Sequence, residues 1–190
     1  MNDANQDYAA LPREAGEVLQ FWFDELTPEQ WWRDRTLDAR IAGRFLGVYH
    51  QLRRAVPSDW LVSAPGVLAG VLVLDQFPRN MFRGTAAAFV TDAAARRLAD
   101  VAVARGLDRG LSVDERLFLY LPFEHSEDAA DQARAVALIE ALGNPNYTEF
   151  AREHKAVIDR FGRFPQRNAA LLRVSTPEEE AFLAEGGANW

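Results

Sequence analysis

There is no cysteine among the 190 residues of this chain. Disulfides, thiol nucleophiles and thiolate metal sites are thereby excluded. Basic charge is in short supply: 21 lysines and arginines stand against 28 aspartates and glutamates, a net charge of −7. Nucleic acid is therefore not expected as a general partner, because phosphate binding needs a basic footprint. Long apolar runs are missing too. The longest, "WLVSAPGVLAGVLVL", is broken by Pro65 and is too short to span a bilayer, so no membrane partner is expected. The stretch "MNDANQDYAALPREAGEV" has neither a basic n-region nor an apolar h-region, and residues 1–10 read as a flexible tail. A cytoplasmic protein is the expectation. The phosphate-loop pattern GxxxxGK[ST], the hydrolase elbow GxSxG and the metal motif HExxH do not occur, and neither metal nor cofactor is expected. No linker or low-complexity segment divides the chain, so residues 1–190 read as one domain.

What is present is helix punctuation. "LTPEQWW" places Thr27 at an N-cap, Pro28 at N1 and Gln30 at N3. "LSVDERLFL" does the same with Ser112 and Glu115, and "STPEEEAFL" with Thr176, Pro177 and Glu179. Thr91 and Asp92 suit the start of another helix, which Gly106 would close. On that helix Ala94, Leu98, Val101 and Ala102 form a stripe. In "NYTEFAREHKAVIDRFG" the stripe is Phe150, Val157, Ile158 and Phe161, with Arg152, Lys155 and Asp159 facing away. Further helices are expected near 12–24, 36–55, 65–76, 112–121 and 127–142. The valine-rich "VLAGVLVL" would suit a strand, but no second strand-like run exists to pair with it, so it reads as a helix buried all round. The fold class is all-α, with antiparallel helices joined by short loops.

Two segments echo each other, "DQFPRNMFRG" from Asp75 and "DRFGRFPQRN" from Asp159. Asp75 falls near Val67, Val71 and Leu74 at helical spacing, at the edge of the core, where a carboxylate needs a partner. Arg79, Arg83, Arg160, Arg163 and Arg167 are the available guanidinium groups. Pro78 is expected to end its helix at Phe77. In "YLPFEHSED", Pro122 should interrupt the helix after Leu121. Ser126 suits the next N-cap, Glu127 and Asp128 suit its dipole, and Glu124 beside His125 is a candidate acid–base pair. His154 shares the apolar stripe of its helix and reads as a buried, hydrogen-bonded, neutral histidine. The aromatic cluster Phe21, Trp22, Phe23, Trp31 and Trp32 suits core packing or a lid.

The segments "LDQFPRNMFRGTAAAFVTD", "ERLFLYLPFEHSED" and "RFGRFPQRNAALLRVSTPEEEAFL" closely resemble a bacterial family called domain of unknown function 924. "VLQFWFDE" and "WWRDRTLDARI" extend the likeness over nearly the whole chain. The resemblance implies a tetratricopeptide-like helical fold and no established activity. It also implies a departure: members usually carry a histidine where this chain has Gln166.

Three functional readings stay open. Asp75, Arg79, Asn80, Arg83, Arg163, Arg167 and Asn168, with Glu124, His125 and His154, could line a pocket for a small anionic ligand. The pocket could be catalytic, with Glu124, His125 or His154 as acid or base. Or the chain could be a scaffold for a peptide or protein partner, its polar motifs holding corners. The first two readings expect the echoed motifs to lie side by side, over anchors Phe77, Phe161 and Phe164, with "PFEHSE" as a third wall.

Overall fold

Ser63 accepts a hydrogen bond from the Gly66 amide at 3.2 Å and so opens α3 (Ala64–Val71), with Pro65 in its first turn. Gly66 is required there, because a Cβ would stand 2.4 Å from the Trp60 carbonyl oxygen. From Val67 to Leu74 every side chain is buried, as the apolar run predicts for a helix without a solvent face. The computed structural model describes residues 8–31 and 35–187. Trp32 and residues 1–7 of the expected tail lie outside the described residues. Tyr8–Ala10 form a 3-10 turn, and the Tyr8 hydroxyl donates to Glu115.

Around α3 stand α1 (Arg13–Leu19), α5 (Asp92–Ala104) and α6 (Val113–Glu124). The short α4 (Phe77–Met81) packs on the long α2 (Arg35–Arg54). On the other side, α7 (Ala129–Glu140) lies between α6 and α8 (Pro145–Phe161), and α9 (Pro177–Ala184) closes the chain. No strand occurs among the described residues, and the protein is all-α. No described helix is long and apolar enough to cross a membrane. One continuous core runs from Ala15 to Ala151, with a smaller one of Val157, Ile158 and Phe164 near α9. Phe21, Trp22 and Trp31 belong to the main core, packing edge-on against Phe118 and Phe77. They support the interior rather than cover it.

The capping boxes at Ser112 and Thr176 form with both reciprocal bonds. At Thr27 one half forms: its amide donates to Gln30, and the chain makes a 3-10 turn, Pro28–Trp31. Two apolar stripes are rotated from their expected positions. On α5 it is Ala95, Ala99 and Ala102 that are buried, while Val101 is exposed. Gly70 of α3 leaves room for α5, with Leu98 Cδ1 only 3.2 Å from where a Cβ of Gly70 would be. On α8 the buried face is Ala151, His154, Val157 and Ile158, with Phe150 turned to the surface.

Neither interior proline ends its helix. α3 runs on through a π-helical turn, Leu72–Gln76, straight into α4, with Pro78 in the first turn of that element. Proline cannot donate to the carbonyl four residues back, which is Leu74. The Thr91 hydroxyl takes that place, donating to the Leu74 carbonyl at 2.6 Å from a buried position. Thr91 therefore does not cap α5 with its side chain, contrary to the sequence expectation. Pro122 likewise sits inside α6, which continues to Glu124 because its last two turns are buried on every side. Ser126 is not the next N-cap either. Asp128 caps α7 by accepting from the Ala130 and Asp131 amides.

Candidate functional site

The π turn widens the helix where Asp75 sits and points its carboxylate into the interior. Asp75 is fully buried. Such turns insert a residue into a helix and are common at functional positions. Its oxygens meet three donors. His125 Nδ1 lies 2.8 Å from Oδ2, the Gln76 amide nitrogen donates to Oδ2, and Arg79 Nη2 is 3.5 Å from Oδ1. Burial opposes the charged carboxylate, but Arg79 and then His125 outweigh it and hold the group down to about 2. Arg79 also donates to the Asp75 carbonyl at 2.8 Å and grips Asp92 through both terminal nitrogens, at 2.9 and 3.1 Å.

The helix end that survives Pro122 separates Glu124 from His125. They do not form the acid–base pair expected from their adjacency. His125 turns to Asp75, and Glu124 to His154, whose Nδ1 is 3.3 Å from Oε1. Burial, and next the charge of Asp75, push Glu124 up to about 8, so it keeps its proton near neutrality. His154 is neutral: burial first, then His125, brings it down to about 3. Its Nδ1 donates to the Phe150 carbonyl at 2.9 Å, which fixes the tautomer. The sequence expectation of a buried, hydrogen-bonded histidine describes this residue.

From the second motif, Arg167 enters the same region. Its guanidinium lies between the rings of Phe164 and Phe89, 4.4 and 4.8 Å from their centroids. Its ion-pair contact among the described residues is with Asp92, at 3.7 Å, beyond hydrogen-bond distance. The side chain is 11% exposed, and among the described residues its guanidinium donates to no acceptor. Burial, then Arg79, lowers it to about 10. The contacts close into a ring: Asp75 to His125, on to His154, Phe164, Arg167, Asp92 and Arg79, and back to Asp75.

Other candidates lie elsewhere. Asn80 and Arg83 both bind Asp38, at 2.8 and 2.9 Å, and fasten α4 to α2. Arg160 pairs with Glu178 on the surface. Arg163 holds Glu179 through two bonds, at 2.6 and 2.7 Å, and donates to the Val174 carbonyl. Asn168 donates to Ser175 and Glu179. Glu127, assigned to the α7 dipole on sequence grounds, instead accepts from Arg173 and the Phe164 amide. The echoed motifs do meet, but through Arg79 and Arg167 rather than Arg79 and Arg163. Phe77 and Phe164 are buried anchors; Phe161 is half-buried against Phe182.

The sequence reading missed Asp92, Phe89 and Arg173. Asp92 carried a signal only as a helix opener, since a carboxylate in a first turn serves the dipole equally well. Gln166 keeps a buried Oε1 with no hydrogen-bond partner among the described residues. No group of three or more His, Asp or Glu among the described residues could hold a metal ion.

A family model described as bacterial protein of unknown function (DUF924) matches residues 18–187. A solved structure of a protein of unknown function, ATU0120 from Agrobacterium tumefaciens, is 45% identical. It superposes with a TM-score of 0.85, over 90% of this chain and 97% of that one. No curated protein matches the chain.

Proposed function

We propose that this chain, which belongs to the DUF924 family of bacterial proteins of unknown function, binds a small anionic ligand at the Arg167 guanidinium, beside His125. The observation that carries the reading is a guanidinium only 11% exposed that, among the described residues, has no hydrogen-bond acceptor. A buried cation is costly unless it is paired and hydrogen-bonded. Asp92 already serves Arg79 with both oxygens and stands too far from Arg167 to serve it as well. An anion accepting from the open fork would complete the set. Packing against the two rings restrains the fork in advance, which lowers the ordering cost of binding.

Ligand linkage tests it. At constant ionic strength, acetate or phosphate should raise the melting temperature of the wild type. Arg167→Met should lose the response, and Arg163→Ala should keep it. An equal rise in wild type and Arg167→Met would mean general salt stabilisation and would end the proposal.

The Asp75–His125 contact favours a second reading, proton transfer at this site. His125 would be the proton acceptor, with Glu124 and His154 as a neutral pair behind it. His125→Ala would then abolish any turnover. Cytoplasmic residence is part of the same proposal, and cell fractionation checks it.

A further inference from the structure

We propose that the ligand is a small 2-hydroxy carboxylate, its carboxylate held by Arg167 and its hydroxyl donating to His125 Nε2. The inference rests on the Arg167 reading above and adds the chemical class of the ligand.

The Asp75 carboxylate is ionised and can only accept. His125 Nδ1 lies within 3.0 Å of both its oxygens, so the ring proton is on Nδ1. The ring is neutral, since burial, then Arg79, then Arg167 all oppose a second proton, against the pull of Asp75. Nε2 is therefore a bare acceptor. It has no hydrogen-bond partner among the described residues, and the side chain keeps 13% of its surface. The carboxylate has set the tautomer by accepting the Nδ1 proton.

The region thus presents two unmet needs of opposite kind. Arg167 offers donors and needs an acceptor of negative charge. His125 offers an acceptor and needs a donor. A simple inorganic anion meets only the first. Water could meet the second, but one molecule with both groups displaces it. A hydroxyl suits the donor better than an ammonium, because the positive charges of Arg79 and Arg167 already act on the ring. One open fork between aromatic faces matches a planar monoanion, so the acidic group is a carboxylate.

Glycolate, methoxyacetate and acetate differ mainly in the donor, and calorimetry at matched ionic strength separates them. The wild type should bind glycolate about tenfold more tightly than methoxyacetate, one hydrogen bond's worth. In His125→Asn the amide nitrogen can still donate to Asp75, but nothing replaces Nε2. That variant should bind glycolate and methoxyacetate equally. Arg167→Met should bind none of the three. If the wild type binds none of them, the Arg167 reading itself fails. If it binds all three through Arg167 without preferring glycolate, only the hydroxy-acid inference fails. Phosphate binding more tightly than glycolate would also overturn it. Should His125→Asn not fold, nitrogen-15 NMR of wild-type His125 decides. A protonated Nε2, or an Nε2 signal unmoved by glycolate, would overturn the proposal.

Discussion

Arg163 and Arg167 stand four residues apart in one motif and end in opposite conditions. Arg163 faces Glu179, which also closes the capping box of α9; its Nε and Nη2 donate to that carboxylate, and Nη2 donates to the Val174 carbonyl as well. Arg167 packs against two rings and, among the described residues, donates to no acceptor. Both are arginines close to carboxylates, and charge alone would not tell them apart. Hydrogen-bond satisfaction does. A guanidinium whose donors are met is a clamp, and its loss is felt in stability. One whose donors are open is available to a ligand, and its loss is felt in binding.

The largest effect should come from the group that holds the ring together. Asp75→Ala leaves His125 and Arg79 without their buried acceptor and should cost about 3–5 kcal/mol in urea unfolding. A loss below about 1 kcal/mol would show that the ring is not a cooperative unit.

Glu124 sharpens the comparison through pH. Its folded pKa, about 8, lies above the unfolded carboxylate value, so its contribution is full below about 4.5 and is lost as pH rises towards 8. His154 has the opposite sign. Its folded value, about 3, lies below the unfolded one, so its contribution is present above about 6.5 and is lost as pH falls towards 3. The two slopes cancel between about 4.5 and 6.5, and only Glu124 acts from there to about 8. Wild type should lose about 2 kcal/mol relative to Glu124→Gln across that upper window. Parallel stability curves for the two proteins would exclude a protonated Glu124.

Arg163 and Arg167 can be separated directly. Arg163→Ala should lower the melting temperature and speed hydrogen exchange in α9, while the anion response stays. Arg167→Met should leave stability within about 1 kcal/mol, since methionine keeps contact with Phe89 and Phe164, while the anion response goes. The reverse pattern would assign the clamp and the site the other way round. The smallest effect belongs to Gln166. Its oxygen is buried and unpaired among the described residues, and Gln166→His should change stability or affinity by no more than about 1–2 kcal/mol. A gain of activity on that change would mean that the position needs a proton acceptor.

Local chemistry was legible in the sequence by itself. The capping boxes at Ser112 and Thr176 are spelled by residues three apart, and the apolar run through Val67–Leu74 is a helix because nothing else could pair with it. His154 was legible as a buried neutral histidine from its stripe. The candidate site was legible as a set of residues but not as an arrangement. Glu124 and His125 are neighbours in the chain and partners of different residues, because α6 carries through Pro122 and turns them apart. Pro78 reads as a helix end, yet the chain continues because Thr91 reaches across and supplies the donor that proline lacks. Of the second motif's arginines, the one that meets Arg79 is Arg167 rather than Arg163, and Asp92 joins them from a helix start. Capping boxes depend on residues within one turn of each other, which sequence spacing determines, whereas the rotation of an apolar stripe depends on which neighbours cover the helix. Partners of a buried charge depend on which helices pack together, and only the tertiary structure decides that.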